Sequence, residues 1–153
     1  MRIRVLAVGS LGRGPEKELV DDYVKRLPWS CEITEFDFKK PAKSAELRKK
    51  QEAEKLITAI PPSAAVIALD ERGKSLDSRG LAGKLESWAN EGRGTVIFII
   101  GGADGLDGAV RKRADLVLSF GTLTWPHKLV RVMLAEQIYR AWSIQTGHPY
   151  HRD

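Results

Sequence analysis

The residues best suited to chemistry cluster near the C-terminal end, in SFGTLTWPHKLVRVMLAEQIYRAW, residues 119–142. A Ser/Thr/Gly-rich loop carries Trp125 at its tip and runs through Pro126 into an apolar helix entered by His127 and Arg131, an arrangement suited to holding a ligand. His127 can serve there as a base, a ligand or a helix-start cap. No Ser or Cys nucleophile is matched to it with an orienting acid, so a hydrolase triad has no support. His148 and His151 have the H-x-x-H spacing of half a metal site, but Pro149 breaks the helical geometry between them and no metal is expected. Asp70 and Glu71 are adjacent, so in an extended segment they point to opposite sides and do not form a glycosidase pair.

Two glycine clusters need the same scrutiny. Gly9-Ser-Leu-Gly12-Arg-Gly14 follows a strand pattern, but its glycine order is the reverse of a dinucleotide fingerprint, and it reads as a turn. Gly101, Gly102 and Gly105 lack the Lys-Ser/Thr of a phosphate loop, which leaves a strand-to-helix turn with positive φ angles or a place where a ligand meets bare backbone.

The elements that must position these residues alternate along the chain. RIRVLAV, CEITEFDF, AAVIALD, TVIFII and LVLSF read as strands, the second with a slight irregularity where Phe36 and Phe38 fall out of step with Ile33. Pro15 opens a helix with Leu19, Tyr23 and Leu27 on one face, and Ser44 caps another that runs to about Ile60. A third passes through Leu81, Leu85 and Trp88, a short one through Val110 and Arg113, and the last from Lys128 to about Thr146. ERGKSLD is expected to be a loop after a strand ending at Asp70. Inner strands apolar throughout and joined by helical crossovers argue for a mainly parallel α/β sheet with helices on both faces. Ligands in such sheets bind beyond the strand carboxyl ends, which selects the loops DERGK, GGADG and SFGTLTWPH.

At 153 residues the chain is expected to form one domain spanning 1–153. No signal-like N-terminus or long apolar run is evident, so the expected location is the cytoplasm, with no membrane partner. Cys31 is the only cysteine, which excludes an intrachain disulfide and a thiolate metal cluster. The net charge of +5 fits a polyanionic partner, although KKPAKSAELRKKQEAEK also suits a solvated helix with Lys50 and Glu54 at i,i+4, the preferred reading of that run. The last helix is apolar around nearly its whole circumference. Its second face packs either on another copy, giving a two-fold homodimer, or inside a central core.

The motifs FIIGGADGL, LSFGTLTWPHKLVRVMLAEQIYRAW and HPYHRD together closely resemble the RlmH family of ribosomal RNA large-subunit methyltransferases, within the SPOUT superfamily. The resemblance extends from RIRVLAVG to the last residues. It implies an S-adenosylmethionine-dependent enzyme acting on N3 of a pseudouridine in 23S rRNA, in the assembled ribosome, as a homodimer with a C-terminal trefoil knot. The family's cofactor site falls on Leu69, Gly101 and the run Phe120, Gly121, Thr122, Leu123, Thr124 and Trp125. His151 and Arg152 are the preferred catalytic pair, expected to reach the partner subunit's cofactor, with His127, Arg131, Arg140 and Tyr150 as further substrate-side candidates. Two other functions fit the same features. One is a related knotted methyltransferase acting on tRNA or another rRNA base; the other is a non-enzymatic ribosome-binding module.

Overall fold

The computed structural model describes residues 1–38 and 42–153; residues 39–41, at the start of the lysine-rich run, lie outside the described residues. Ten elements follow in order: β1 (Arg2–Val8), α1 (Pro15–Arg26), β2 (Ser30–Phe36), α2 (Ala45–Thr58), β3 (Ala65–Ser75), α3 (Ser78–Asn90), β4 (Thr95–Ile100), α4 (Gly108–Arg113), β5 (Leu116–Ser119) and α5 (His127–Thr146). The strands form one sheet in the order β2-β1-β4-β3-β5, with every pairing parallel. This is the α/β arrangement expected from the sequence.

Apolar runs are required because both faces of the sheet are covered. Along β4, Val96, Phe98 and Ile100 face the layer of α1, α3 and α5, where Leu27, Leu85, Trp88, Leu134 and Ile138 meet them. Ile97 and Ile99 face the opposite layer, formed by Ala53 and Leu56 of α2 and Val110 of α4. Helix starts are fixed locally. Ser44 accepts from the Leu47 amide at 3.1 Å, Asp77 from Gly80 at 2.7 Å and Asp107 from Ala109 at 2.9 Å, each satisfying an N–H that the helix leaves unpaired.

Three local expectations change. In α1 the buried residue is Val20, with Tyr23 half-buried and Leu27 at the cap, while Leu19 is 48% exposed. The inward stripe runs i, i+3, i+7 from Val20, and Leu19 lies one residue, about 100°, outside it. The register of β2 against β1 is unbroken from Ser30 to Phe36. β2 is an edge strand that buries little, so its sequence alternation is weakly constrained.

The largest departure is β3. It continues past Asp70 to Ser75, so most of the expected ERGKSLD loop is strand. Both Leu69 and Lys74 pair with Leu118 of β5 across a register shift, so residues 70–73 bulge out and the chain returns to the same partner. Gly73 makes this possible: a Cβ there would lie 2.6 Å from the Val117 carbonyl carbon and oxygen. No side chain fits that crossing.

Within its layer α5 lies between α1 and α3, which explains part of its all-round apolar character. Leu134, Ile138 and Ala141 are buried, Val132, Met133 and Trp142 half-buried, and Leu129 exposed. Gly147, at φ 73°, ends the helix in the left-handed region and turns the tail back along it.

Candidate functional site

A cavity of about 450 Å³ opens at the C-terminal ends of β3, β4 and β5. The three loops selected from the sequence converge there. Leu69 closes one side, Gly101 and Gly102 a second, and Phe120, Gly121, Leu123, Thr124 and Trp125 a third, with His127 at the start of α5 on the margin. Thr122, exposed on the same loop, is not among the lining residues.

Local chemistry shapes each wall. The Ser119 hydroxyl is buried, accepts from the Gly121 amide at 3.1 Å and donates to the Gly121 carbonyl at 2.9 Å, folding the chain where Gly121 takes φ 114°. The Trp125 indole N–H donates to the Phe120 carbonyl at 3.3 Å, bridging the loop. Leu123 at 70% and Trp125 at 40% exposure are large apolar side chains left facing solvent at the mouth. Such exposure marks a binding surface when it rims a pocket. On the glycine wall, a Cβ on Gly101 would lie 2.9 Å from Leu106 Cδ2, and one on Gly102 3.0 Å from Val8 Cγ1. Glycine is therefore required at both positions by the protein packed behind the turn, and that packing sets where this wall stands.

Four charged lining residues, Asp70, Glu71, Arg72 and Asp104, are not among the site residues expected from the sequence. The Asp70 side chain is only 6% exposed, accepts from the Arg72 amide at 2.9 Å and stands 3.5 Å from Arg111. DERGK had been singled out as a privileged loop, but the role of Asp70 depends on Arg111, which the sequence places 41 positions later.

Arg131 lies elsewhere. It is 5% exposed, its Nη2 donates to the Gly9 carbonyl at 2.6 Å and the Val8 carbonyl at 3.2 Å, and its Nη1 pairs with Glu35. Glu35 also accepts from the Leu11 amide at 2.6 Å. Burial raises the Glu35 carboxyl, but hydrogen bonds from Arg131 and Leu11, with the charges of Arg131 and Lys17, outweigh it and leave the group titrating below its ordinary value. Arg131 thus ties α5, just beyond the cavity loop, to the ends of β1 and β2.

The remaining candidates form a separate cluster where the tail lies back on α5. Arg140 donates to Glu136 at 2.5 Å and 3.0 Å and to His151 Nδ1 at 3.1 Å. Because a guanidinium can only donate, His151 Nδ1 accepts and Nε2 carries the proton toward Asp153, 3.1 Å away. The Tyr150 hydroxyl donates to Glu136 at 2.8 Å, and burial first, then its neighbours Tyr23 and Glu136, hold its proton well above the ordinary range. Tyr150 stacks edge-on against Tyr139 at 4.7 Å. Arg152 is exposed, and the neighbouring Asp153 pairs with Arg79. None of these tail residues lines the cavity of its own chain.

The family model described as "Predicted SPOUT methyltransferase" matches residues 1–151. The chain belongs to the SPOUT methyltransferase family. This SPOUT chain is 49% identical over 152 residues to a protein of Rhodospirillum centenum named ribosomal RNA large subunit methyltransferase H, covering 99% of each. A protein of the same name from Paramagnetospirillum magneticum is also 49% identical over 152 residues. Among solved structures, a probable methylase family protein of Haemophilus influenzae superposes with a TM-score of 0.58 at 10% identity, covering 99% of this chain and 70% of that one. The SpoU methyltransferase AviRb of Streptomyces viridochromogenes, solved in complex with AdoMet, superposes with a TM-score of 0.51 at 12% identity, covering 96% of this chain and 61% of that one. These likenesses establish the SPOUT fold. Among the described residues no helix is long and apolar enough to cross a membrane.

Proposed function

We propose that this SPOUT methyltransferase uses S-adenosylmethionine to methylate N3 of a pseudouridine in 23S rRNA of the assembled ribosome, acting as a cytoplasmic homodimer. The observation that carries the reading is the glycine-walled cavity at the ends of β3, β4 and β5, in a chain 49% identical over 99% of its length to a protein named ribosomal RNA large subunit methyltransferase H.

The lining fits the cofactor. Leu69, Phe120, Leu123 and Trp125 offer apolar cover for an adenine ring and thioether chain, and the turn from Gly101 to Gly105 lines the cavity with backbone groups that can meet polar edges. When bound, S-adenosylmethionine supplies an activated methyl group on its sulfonium. The chain's own residues then have three tasks: to hold the cofactor, to align the target nitrogen and exclude water, and to manage the imide proton. Trp125 and Leu123, exposed at the mouth, are placed to close over an occupied cavity.

The charge left as N3 loses its proton falls to the tail. His151, whose Nδ1 accepts from Arg140 and whose Nε2–H can donate to substrate in place of Asp153, and the exposed Arg152 are the residues we assign to stabilise it. His127, Arg140 and Tyr150 support the substrate side, whereas the buried contacts of Arg131 favour a fixing role. That the tail lies outside its own cavity supports its serving the partner subunit's. The exposed Leu129 and half-buried Val132 and Met133 on α5 supply an apolar surface for that partner. A C-terminal trefoil knot is part of the proposal, supported by the match of the SPOUT methyltransferase family model to residues 1–151.

Incubation with radiolabelled S-adenosylmethionine and unmodified ribosomes, separated subunits or free rRNA, followed by nucleoside analysis, tests the assignment. Label in methylpseudouridine from ribosomes is expected. Label confined to tRNA or another base would replace the substrate, and failure to bind the cofactor would remove the enzymatic reading.

A further inference from the structure

α2 contributes no residue to the cavity lining, yet two of its side chains, one helical turn apart, hold the GGADG turn from behind. Arg48 Nη1 donates to Asp104 Oδ2 at 2.8 Å. Glu52, four residues on and on the same face, is 4% exposed, and its carboxyl oxygens stand 3.1 and 3.3 Å from where a Cβ on Gly102 would be. A carboxyl so placed needs a reason. It accepts no hydrogen bond among the described residues; burial raises its pKa, and the Asp104 charge pushes the same way against Arg48 and Lys49. A largely buried acid beside another acid, even with its oxygens still touching water, is a stability cost that a neutral side chain of similar shape avoids. Residues that lower stability are characteristic of functional sites, where placement of a ligand-facing segment takes precedence. The segment here is Gly101–Gly105, whose bare backbone forms one wall of the cavity.

We propose that Glu52 is a positioning residue for methyl transfer, acting through Gly102 to set the cavity-facing backbone of the turn, while Arg48 fixes the turn's far end through Asp104. The proposal rests on reading the cavity as the S-adenosylmethionine site. Glu52 touches neither reacting atom; its effect is on where the wall stands.

Glu52→Gln keeps the shape and removes the charge, and Glu52→Met removes the polar group as well. For each, the thermal midpoint, the S-adenosylmethionine affinity by calorimetry, and KM and kcat on ribosomes are compared with the wild-type dimer. The expected result has opposite signs: a midpoint equal to or above wild type, with cofactor affinity reduced about tenfold and KM rising more than kcat falls. Arg48→Ala is expected to weaken affinity in the same direction without moving the midpoint, because its ion pair is solvent-exposed. Cofactor affinity equal to wild type in the Glu52 variants overturns the proposal. So does affinity lost only in step with a falling midpoint, which marks a structural residue. Wild-type protein that binds no S-adenosylmethionine overturns the reading of the cavity itself, an outcome distinct from variants that bind as wild type does.

Discussion

At the scale of single residues, Trp125 and Arg131 come from the same stretch and do opposite things. Trp125 is 40% exposed at the cavity mouth and held by one hydrogen bond, so its apolar surface is available to a ligand. Trp125→Ala is expected to lower S-adenosylmethionine affinity about tenfold while changing stability by less than about 0.5 kcal/mol, since little of the core is lost. Calorimetric titration beside thermal unfolding checks both halves, and unchanged affinity would remove Trp125 from the site. Arg131 is buried in contacts with Glu35, Val8 and Gly9. Arg131→Met leaves those acceptors unpaired and should cost about 2 kcal/mol, less than a fully buried pair because Glu35 keeps contact with water. The pair also has a pH signature. Glu35 titrates below its unfolded value, so its stabilisation is complete above the unfolded carboxylate range, near about 4.3, and is lost as pH falls through the folded value. The gap in thermal midpoint between wild type and Glu35→Gln should be constant near neutrality and close in acid; a gap independent of pH would show that the charge contributes nothing.

At the scale of elements, the β3 bulge decides where the cavity lies. Residues 70–73 leave the sheet and the strand rejoins β5 at Lys74, which holds Asp70 and Arg72 on the cavity wall. The return depends on Gly73 lying against the backbone of Val117 and Leu118. Gly73→Ala forces backbone apart and is expected to destabilise the fold by about 2 kcal/mol or more and to weaken cofactor binding in parallel. Denaturant unfolding of the variant measures the first effect. A stable Gly73→Ala protein with intact binding would mean that the crossing can relax.

At the scale of the whole molecule, the candidate residues other than Arg131 fall into two groups that one chain does not bring together: the cavity loops, and the tail on α5. Sharing of sites across the proposed two-fold dimer would reconcile them. Mixing subunits lacking the tail with subunits carrying a defective cavity loop should restore partial activity, because a heterodimer then holds one intact site. Verified heterodimers without activity would place the tail's function in its own subunit. The sheet itself is indifferent to this question, since its two cores are complete within a single chain.

The sequence by itself determined the order and type of nearly every element and the three loops at the strand ends. Those signals are local: apolar runs for doubly covered strands, Ser44 as a cap, and Pro and Gly at boundaries. The stretch SFGTLTWPH also pointed to one wall of the cavity, which Phe120, Gly121, Leu123, Thr124 and Trp125 line and Thr122 does not. Tertiary structure decided what depends on distant partners. Arg131 looked available beside His127, but its partner Glu35 is 96 positions away, and only the docking of α5 against β1 and β2 buries the pair. ERGKSLD reads as a loop because its polar residues lack periodicity; the backbone of β5 turns it into strand. Glu52 sits in a run indistinguishable from a solvated helix until that helix packs behind Gly102. Hydrophobic period is written along the chain, whereas the fate of a charged side chain is set by what folding brings to it.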